Sequence, residues 1–436
     1  MTNEVTSSAR HALRWRRTPV TAMGLGGAVI LAVLGVALSR PDVAAIGLPL
    51  ALSTTWMLVR RPAPAHLDVD LRAHGGDLLT SQEVRGAVDV AVVADWVQLA
   101  VDQGARRSGL ADVRPGTASV LSRARLQHSG PHELLAVTAR AVTLDGAWAT
   151  EVAPRVELVW NASPRTRRVA RLPIAPRLTG LLGVHESGRL GQGGDFRDIH
   201  PFAPGDELRR VDWRATARAA RRPGELLVRR NNALSESSVV IAMDTAEDLG
   251  TAVASWGSGD SDRTGVTSLD LAREAALAIA TAAVAGGDRV AYHVLAPGGR
   301  SLPAGGGARH LARVRDVIAA TGLGADESRY RRSPAVPPGS IVFVLSTFFD
   351  GVAAELATRW RAAGHAVLAI DVLPEPDATR LNREQSIAMR TLLAERSDIL
   401  GELVRAGVEV VPWSGGDPDI ALRIAARRQQ RRRAGR

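Results

Sequence analysis

At 436 residues and a formal net charge of +10, the chain has room for about three domains, each large enough to bury its own core. All 55 basic residues are arginine and cysteine is absent, which excludes lysine Schiff bases, a phosphate-loop lysine, disulfides, thiolate nucleophiles and cysteine-held metal centres. Only five Phe and two Tyr accompany the nine Trp, few stacking platforms for a single strand, so nucleic acid is not expected as a partner.

Residues 1–18 read as a basic segment ending in Arg14, Arg16 and Arg17. Pro19 to Leu38 follows as twenty uncharged, largely apolar residues, enough at 1.5 Å per residue to span a hydrocarbon core of about 30 Å. Val43 to Val59 is a second apolar run, and only Ser39, Arg40, Pro41 and Asp42 separate the two. Residues 19–61 are therefore expected to form a transmembrane helical hairpin, with Arg60 and Arg61 closing it and both basic outer ends in the cytoplasm. A secretory signal peptide fits less well, because the first run is long for one and a second follows at once. Gly24, Gly26, Gly27 and Gly35 would let the two helices approach closely.

Residues 62–180 change to period-two alternation. Leu67, Val69 and Leu71 alternate with Asp68, Asp70 and Arg72, and Val97, Leu99 and Val101 alternate with Gln98 and Asp102. With Ala118 to Leu126, Leu134 to Leu144 and Val156 to Trp160 as further strands, and Gly75-Gly76, Gly116, Gly130 and Asp145-Gly146 as breakers, a small β-sandwich is expected. Nothing in it groups acids, histidines or hydroxyls at a catalytic spacing.

Residues 181–236 are the most distinctive. A glycine-rich lead runs into Asp195-Phe196-Arg197-Asp198-Ile199-His200-Pro201-Phe202, then Pro204-Gly205-Asp206-Glu207-Leu208-Arg209-Arg210-Val211-Asp212-Trp213-Arg214-Ala215-Thr216-Ala217-Arg218. Helical spacing would pair Asp206 with Arg209 and face Arg214 toward Arg218. Phe196, Phe202, Val211 and Trp213 interleave with the charges, and apolar residues at such intervals need somewhere to bury, so an ordered insertion is expected.

This stretch, with Glu225-Leu226-Leu227-Val228-Arg229 closing it, closely resembles the signature of the domain-of-unknown-function 58 family. The hairpin and the β-rich middle also look like that family's architecture. Asp206, Arg209, Asp212, Trp213, Arg218 and Arg229 are the candidates for organising the signature or touching a partner.

From 237 to 424, short apolar runs alternate with helical patterns. Strands are expected at Ser238–Met243, Val290–Leu295, Ile341–Leu345, Ala366–Val372 and Val408–Val411. Helices are expected from a Ser268 cap onward, and near Ala308–Ala320, Val352–Ala363, Asn382–Ala406 and Asp417–Arg428. That is an α/β domain with a mostly parallel sheet covered on both faces, whose ligands sit outside the carboxyl ends of the strands, where Asp244 and Ser346 fall.

The resemblance implies that this Rossmann-like unit is similar to a von Willebrand factor type A domain, which commonly holds a divalent cation on an Asp-x-Ser-x-Ser loop. Here the loop reads Asp244-Thr245-Ala246-Glu247-Asp248, a degenerate form, leaving Asp244, Asp248 and Ser346 as candidate ligands with magnesium as the candidate ion. The Gly250 to Thr267 segment reads as a mobile loop, and residues 425–436 as an arginine-rich tail suited to anionic lipid or to water.

The resemblance further implies a partner, a MoxR-type AAA+ ATPase. The expected protein is thus a multi-pass cell-membrane, non-enzymatic adaptor or assembly factor with its C-terminal domain in the cytoplasm. The competing expectation is a divalent-metal-dependent hydrolase or phosphotransferase using Asp244, Asp248 and His200, although no nucleophile elbow or His-Glu-x-x-His motif is present.

Overall fold

The computed structural model describes residues 3–63, 65–75, 83–104, 107–114, 120–170, 172–173, 185–235, 237–256, 265–324 and 333–434. It divides into two compact units, Met1–Gln127 with Pro131–Ala162, and His128–Gly130 with Ser163–Arg436. Gly76, Gly116 and residues 257–264 of the expected mobile loop lie outside the described residues.

The first unit contains β1 (Asn3–Leu13), β2 (Trp15–Arg17), α1 (Pro19–Ala37), α2 (Pro41–Val59), β3 (Ala65–Gly75), β4 (Glu83–Val92), β5 (Trp96–Gln103), β6 (Arg107–Val113), β7 (Val120–Arg125), β8 (Gly130–Val142), β9 (Trp148–Thr150) and β10 (Val156–Ala162). Both helices are long and apolar enough to cross a membrane. They pack through glycine: a Cβ added at Gly35 would lie 2.6 Å from the Ala44 nitrogen, and one at Gly24 would lie 2.1 Å from Thr54 Cγ2. Gly27 meets Leu50 and Gly47 meets the Ala28 carbonyl, whereas Gly26 faces open space. Three of the four glycines singled out by sequence are thus at the helix contact.

The segment before the hairpin is not a tail. β1 pairs antiparallel with β3 from Asn3↔Gly75 to Leu13↔Ala65, so the chain entering the hairpin and the chain leaving it form one ladder. Two sheets, ordered β1-β3-β4-β7 and β2-β9-β8-β5-β6 with β10 on β8, enclose a shared core that includes Leu67, Leu71, Leu99, Leu135, Leu158 and Trp160. Gly75 is required there, since a Cβ would come within 2.5 Å of the Trp160 ring. The hairpin is keyed to this unit by hydrogen bonds from Trp148 Nε1 to the Met57 carbonyl (3.0 Å) and from Trp15 Nε1 to the Ala63 carbonyl (3.0 Å).

The second unit begins earlier than residue 181. Val169 joins its core, and the Ala170 N–H donates to Asp419 at 2.7 Å. It contains β11 (His185–Pro201), α3 (Trp213–Ala219), β12 (Leu227–Ser235), β13 (Ser238–Asp244), α4 (Ser268–Ala285), β14 (Arg289–Leu295), β15 (Ser301–Gly305), α5 (Gly307–Ala319), β16 (Ile341–Ser346), α6 (Val352–Ala362), β17 (Ala366–Asp371), α7 (Arg383–Arg405), β18 (Glu409–Pro412) and α8 (Pro418–Ala434). β11 and β12 form a separate two-stranded sheet.

The main sheet runs β15-β14-β13-β16-β17-β18, parallel except for the antiparallel edge strand β15. Val239, Ile241 and Met243 point into a core with α4, α5 and α8, while Val240 and Ala242 point into a second core with α6 and α7. Both faces being buried explains why these strands read as unbroken apolar runs. From β13 the chain pairs to one side with β14 and to the other with β16, so a crevice opens at their carboxyl ends, beside Asp244 and Ser346.

Helix α4 is capped by Thr267 rather than Ser268, in a reciprocal box with Asp270. Burial pushes the Asp270 carboxyl up, but hydrogen bonds with His128 Nδ1 (2.6 Å) and Ser129 outweigh it and hold the group at about 2. The described ends of the 250–267 segment are structured, bridging Gly250 to Thr267 and Ala252 to Asp377. Helix α8 carries the chain to Ala434, through most of the expected tail.

Because the chain has no cysteine, Thr6→Cys and Ser39→Cys each introduce a unique thiol. A membrane-impermeant maleimide should label them from opposite sides of the membrane, and labelling of both from one side would contradict a spanning hairpin.

Candidate functional site

The signature folds by short-range hydrogen bonds. Phe202 N–H donates to the Leu226 carbonyl and Asp212 N–H to the Leu227 carbonyl, which fastens both ends of the intervening segment to β12. Asp206 turns the chain by accepting from the Ala203 N–H at 2.9 Å, and it also pairs with Arg230 at 3.2 Å. The Ala203 N–H, and after it Arg230, hold the Asp206 carboxyl below the ordinary range. Asp212 caps α3, accepting from the N–H groups of Arg214 (3.0 Å) and Ala215 (2.9 Å). Thr216 Oγ1 accepts from Leu227 N–H, and Glu225 accepts from the N–H groups of Arg221 and Arg222.

Order here does not bring burial. Val211 is buried against β12, but Trp213 is 68% exposed, Leu208 67% and Phe196 50%, with Phe202 and Ile199 also at the surface. The expectation that these aromatics bury within the insertion is therefore corrected: a two-stranded sheet and a seven-residue helix have no second layer to cover them. Between them lies a cavity of about 630 Å³ whose lining includes Arg209, Arg210, Asp212, Trp213, Arg214 and Arg229. The Arg229 guanidinium lies over the Phe196 ring, 5.3 Å from its centroid. Arg209 pairs with Glu207, not Asp206, because the turn at Leu208–Arg210 is too tight for α-helical pairing.

At the carboxyl end of the main sheet, Ser346 Oγ donates to Asp244 Oδ2 at 2.6 Å and accepts from Phe348 N–H. Thr347 Oγ1 donates to Glu247 at 3.0 Å. Burial, and then the nearby charge of Asp350, push both Asp244 and Glu247 above the ordinary carboxylate range, against the pull of the two hydroxyls. From α7, the buried Arg396 donates to the Thr347 carbonyl at 2.6 Å, forms an ion pair with Asp371 and stacks near Phe349. Asp248 is directed elsewhere, accepting from Leu269 N–H in the first turn of α4. Among the described residues no group of three or more His, Asp or Glu side chains could hold a metal ion. Of the three candidate magnesium ligands, the structure brings Asp244 and Ser346 together and engages Asp248 with α4. His200 lies on β11, bonded to the Pro201 carbonyl.

Residues 198–384 match the family model described as protein of unknown function DUF58. This segment resembles DUF58. No curated protein and no solved structure matches it. The DUF58 match takes in the whole cavity lining and the sheet end as far as Asp371, but not the hairpin, the β-rich unit or most of α7. The signature resemblance is thus borne out over a shorter stretch than the sequence suggested.

Of the six signature candidates, Arg209, Asp212, Trp213 and Arg229 meet at the cavity; Asp206 holds the turn, and Arg218 lies on α3 outside the lining. Sequence reasoning passed over Arg214, and at the sheet end it missed Glu247, Thr347, Asp350, Asp371 and Arg396. Glu247, inside the quoted loop, and Thr347 and Asp350, directly and shortly after Ser346, carried a local signal.

Raised carboxyls cost folding stability once ionised. That cost is absent below the unfolded value of about 4, grows as pH rises from there to the folded values, and is complete above them. Asp350→Asn, which keeps an oxygen to cap Val352 N–H, should raise the Tm at neutral pH by about 1–3 °C, with the gain vanishing near pH 3. Thermal melts across that range check this, and an unchanged or lower Tm at neutral pH contradicts it.

Proposed function

We propose that this protein is a membrane-anchored, non-enzymatic interaction protein, an adaptor or assembly factor that docks a MoxR-type AAA+ ATPase through its DUF58 segment on the cytoplasmic side. The observation that carries the reading is the signature's combination of fixed backbone and exposed apolar side chains. A segment cross-linked by caps and turns has already spent its ordering entropy, so Trp213, Leu208 and Phe196 offer area for a partner to cover at little further entropic cost. The arginine excess flanking the apolar helices supports the cytoplasmic assignment of the outer ends. The order of the main sheet and its helices on both faces support a von Willebrand factor type A-like fold for the second unit. The partner class comes from the family resemblance.

A metal-dependent hydrolase or phosphotransferase has its footing in Asp244 and Ser346, whose hydrogen bond could polarise the hydroxyl. Asp244 is the group placed to take the hydroxyl's proton, whereas Asp248 and His200, the other residues this reading names, are bonded to α4 and within β11.

Mild crosslinking of tagged full-length protein in native membranes, followed by mass spectrometry, tests the adaptor reading. Wild type should recover an AAA+ ATPase, and Trp213→Ala and Arg209→Ala/Asp212→Ala should each lower the yield about tenfold. Trp213 takes no part in the caps, so its variant separates lost contact from lost local order. Failure of folded, anchored wild type to recover an ATPase contradicts the reading.

A further inference from the structure

The cationic groups around the cavity are not equivalent. Arg209 and Arg210 both reach Glu207, and Arg230 behind them is paired with Asp206. Arg214 and Arg229, which also line the cavity, have no carboxylate partner among the described residues. Both are exposed. Arg229 is nevertheless oriented, because its guanidinium lies over the Phe196 ring; that contact leaves the in-plane N–H donors available for a bidentate acceptor. Asp212, the carboxylate among the lining residues, is occupied with the backbone N–H groups of Arg214 and Ala215. The result is a concave site with two uncommitted guanidinium groups on its wall and an indole beside them.

We propose that this cavity binds an acidic peptide segment of a partner protein, with its carboxylates on Arg214 and Arg229 and a neighbouring apolar side chain against Trp213. The proposal rests on the interaction-protein reading and names the chemistry of its contact site. A volume of about 630 Å³ falls in the range of pre-formed ligand sites. A small free anion would satisfy the two arginines but leave Trp213, Leu208 and Phe196 in water, whereas a chain segment covers both. An anionic membrane fits less well: it responds to charge summed over about 10 Å, and Asp198, Asp206, Glu207 and Asp212 are interspersed with the arginines across this surface. A peptide can set its carboxylates against Arg214 and Arg229 alone, the two lining arginines without a carboxylate partner among the described residues.

Fluorescence anisotropy with the full-length protein in nanodiscs tests this, using a fluorescein-labelled hexapeptide of alternating glutamate and leucine and its glutamine counterpart. The acidic peptide should bind and the glutamine peptide should not, with affinity falling as salt rises. Arg214→Ala/Arg229→Ala should weaken binding by about tenfold or more, Arg214→Lys/Arg229→Lys by less, and Arg309→Ala on α5 should have no effect. Equal binding of the two peptides, or an unaffected double alanine variant, overturns the assignment. So does displacement of the peptide by inorganic phosphate at millimolar levels, or arginine-dependent binding to phosphatidylglycerol vesicles by a protein that ignores the peptide. Combined with crosslinking, the failures separate. An ATPase recovered equally by wild type and the double alanine variant removes the cavity but keeps the partner; arginine-dependent peptide binding without any ATPase keeps the cavity and removes that partner.

Discussion

The ladder between Asn3–Leu13 and Ala65–Gly75 is the contact on which the first unit depends. It joins the strand before the hairpin to the strand after it, so the two apolar helices become a closed excursion from one sheet. A single crossing would pull the two strands to opposite sides of a bilayer, and the ladder with its shared core would be lost. Among the described residues no other helix is long and apolar enough to cross a membrane. Within the hairpin, the glycines at 24, 27, 35 and 47 replace side-chain bulk with close backbone approach, which is how helices gain contact in a solvent as apolar as their own surfaces.

The second unit divides its polar groups differently. Its main sheet is buried on both faces, leaving the strand ends as the place for charge. There Asp244, Glu247, Asp371 and Arg396 are largely satisfied by one another's neighbours: two hydroxyls, a backbone carbonyl and one ion pair. The cluster is inward-looking. The signature is the reverse, with its backbone satisfied locally and its aromatic and guanidinium groups turned out. An ordered segment with tryptophan and arginine at the surface carries the residue types that are enriched at protein interfaces.

Much of this was legible in the sequence where the signal is local. The hairpin follows from two apolar runs, the parallel strands from unbroken runs such as Ser238–Met243, and the DUF58 signature from its own residues. What was not legible depends on distant partners. β1 alternates in burial, but its inward positions are Val5, Ser7, Ala9 and His11, too polar to announce a strand without knowledge of β3 some sixty residues on. Asp206 was paired by helical spacing with Arg209, but a tight turn sends it to Arg230. The sheet-end cluster draws Arg396 from a helix that begins well past its strand, and the free loop geometry turned Asp248 away while bringing Asp350 close. Spacing rules see pairs within one element; these pairs are made between elements.

The central claim is that the outward-facing signature, rather than the self-satisfied sheet end, is where a partner binds. Hydrogen–deuterium exchange on the full-length protein in nanodiscs, free and with the ATPase recovered by crosslinking, tests it most directly. The account predicts slowed exchange across residues 196–230 with little change at 244–248 and 346–350. Protection confined to the sheet end, with the signature exchanging as in the free protein, would contradict it.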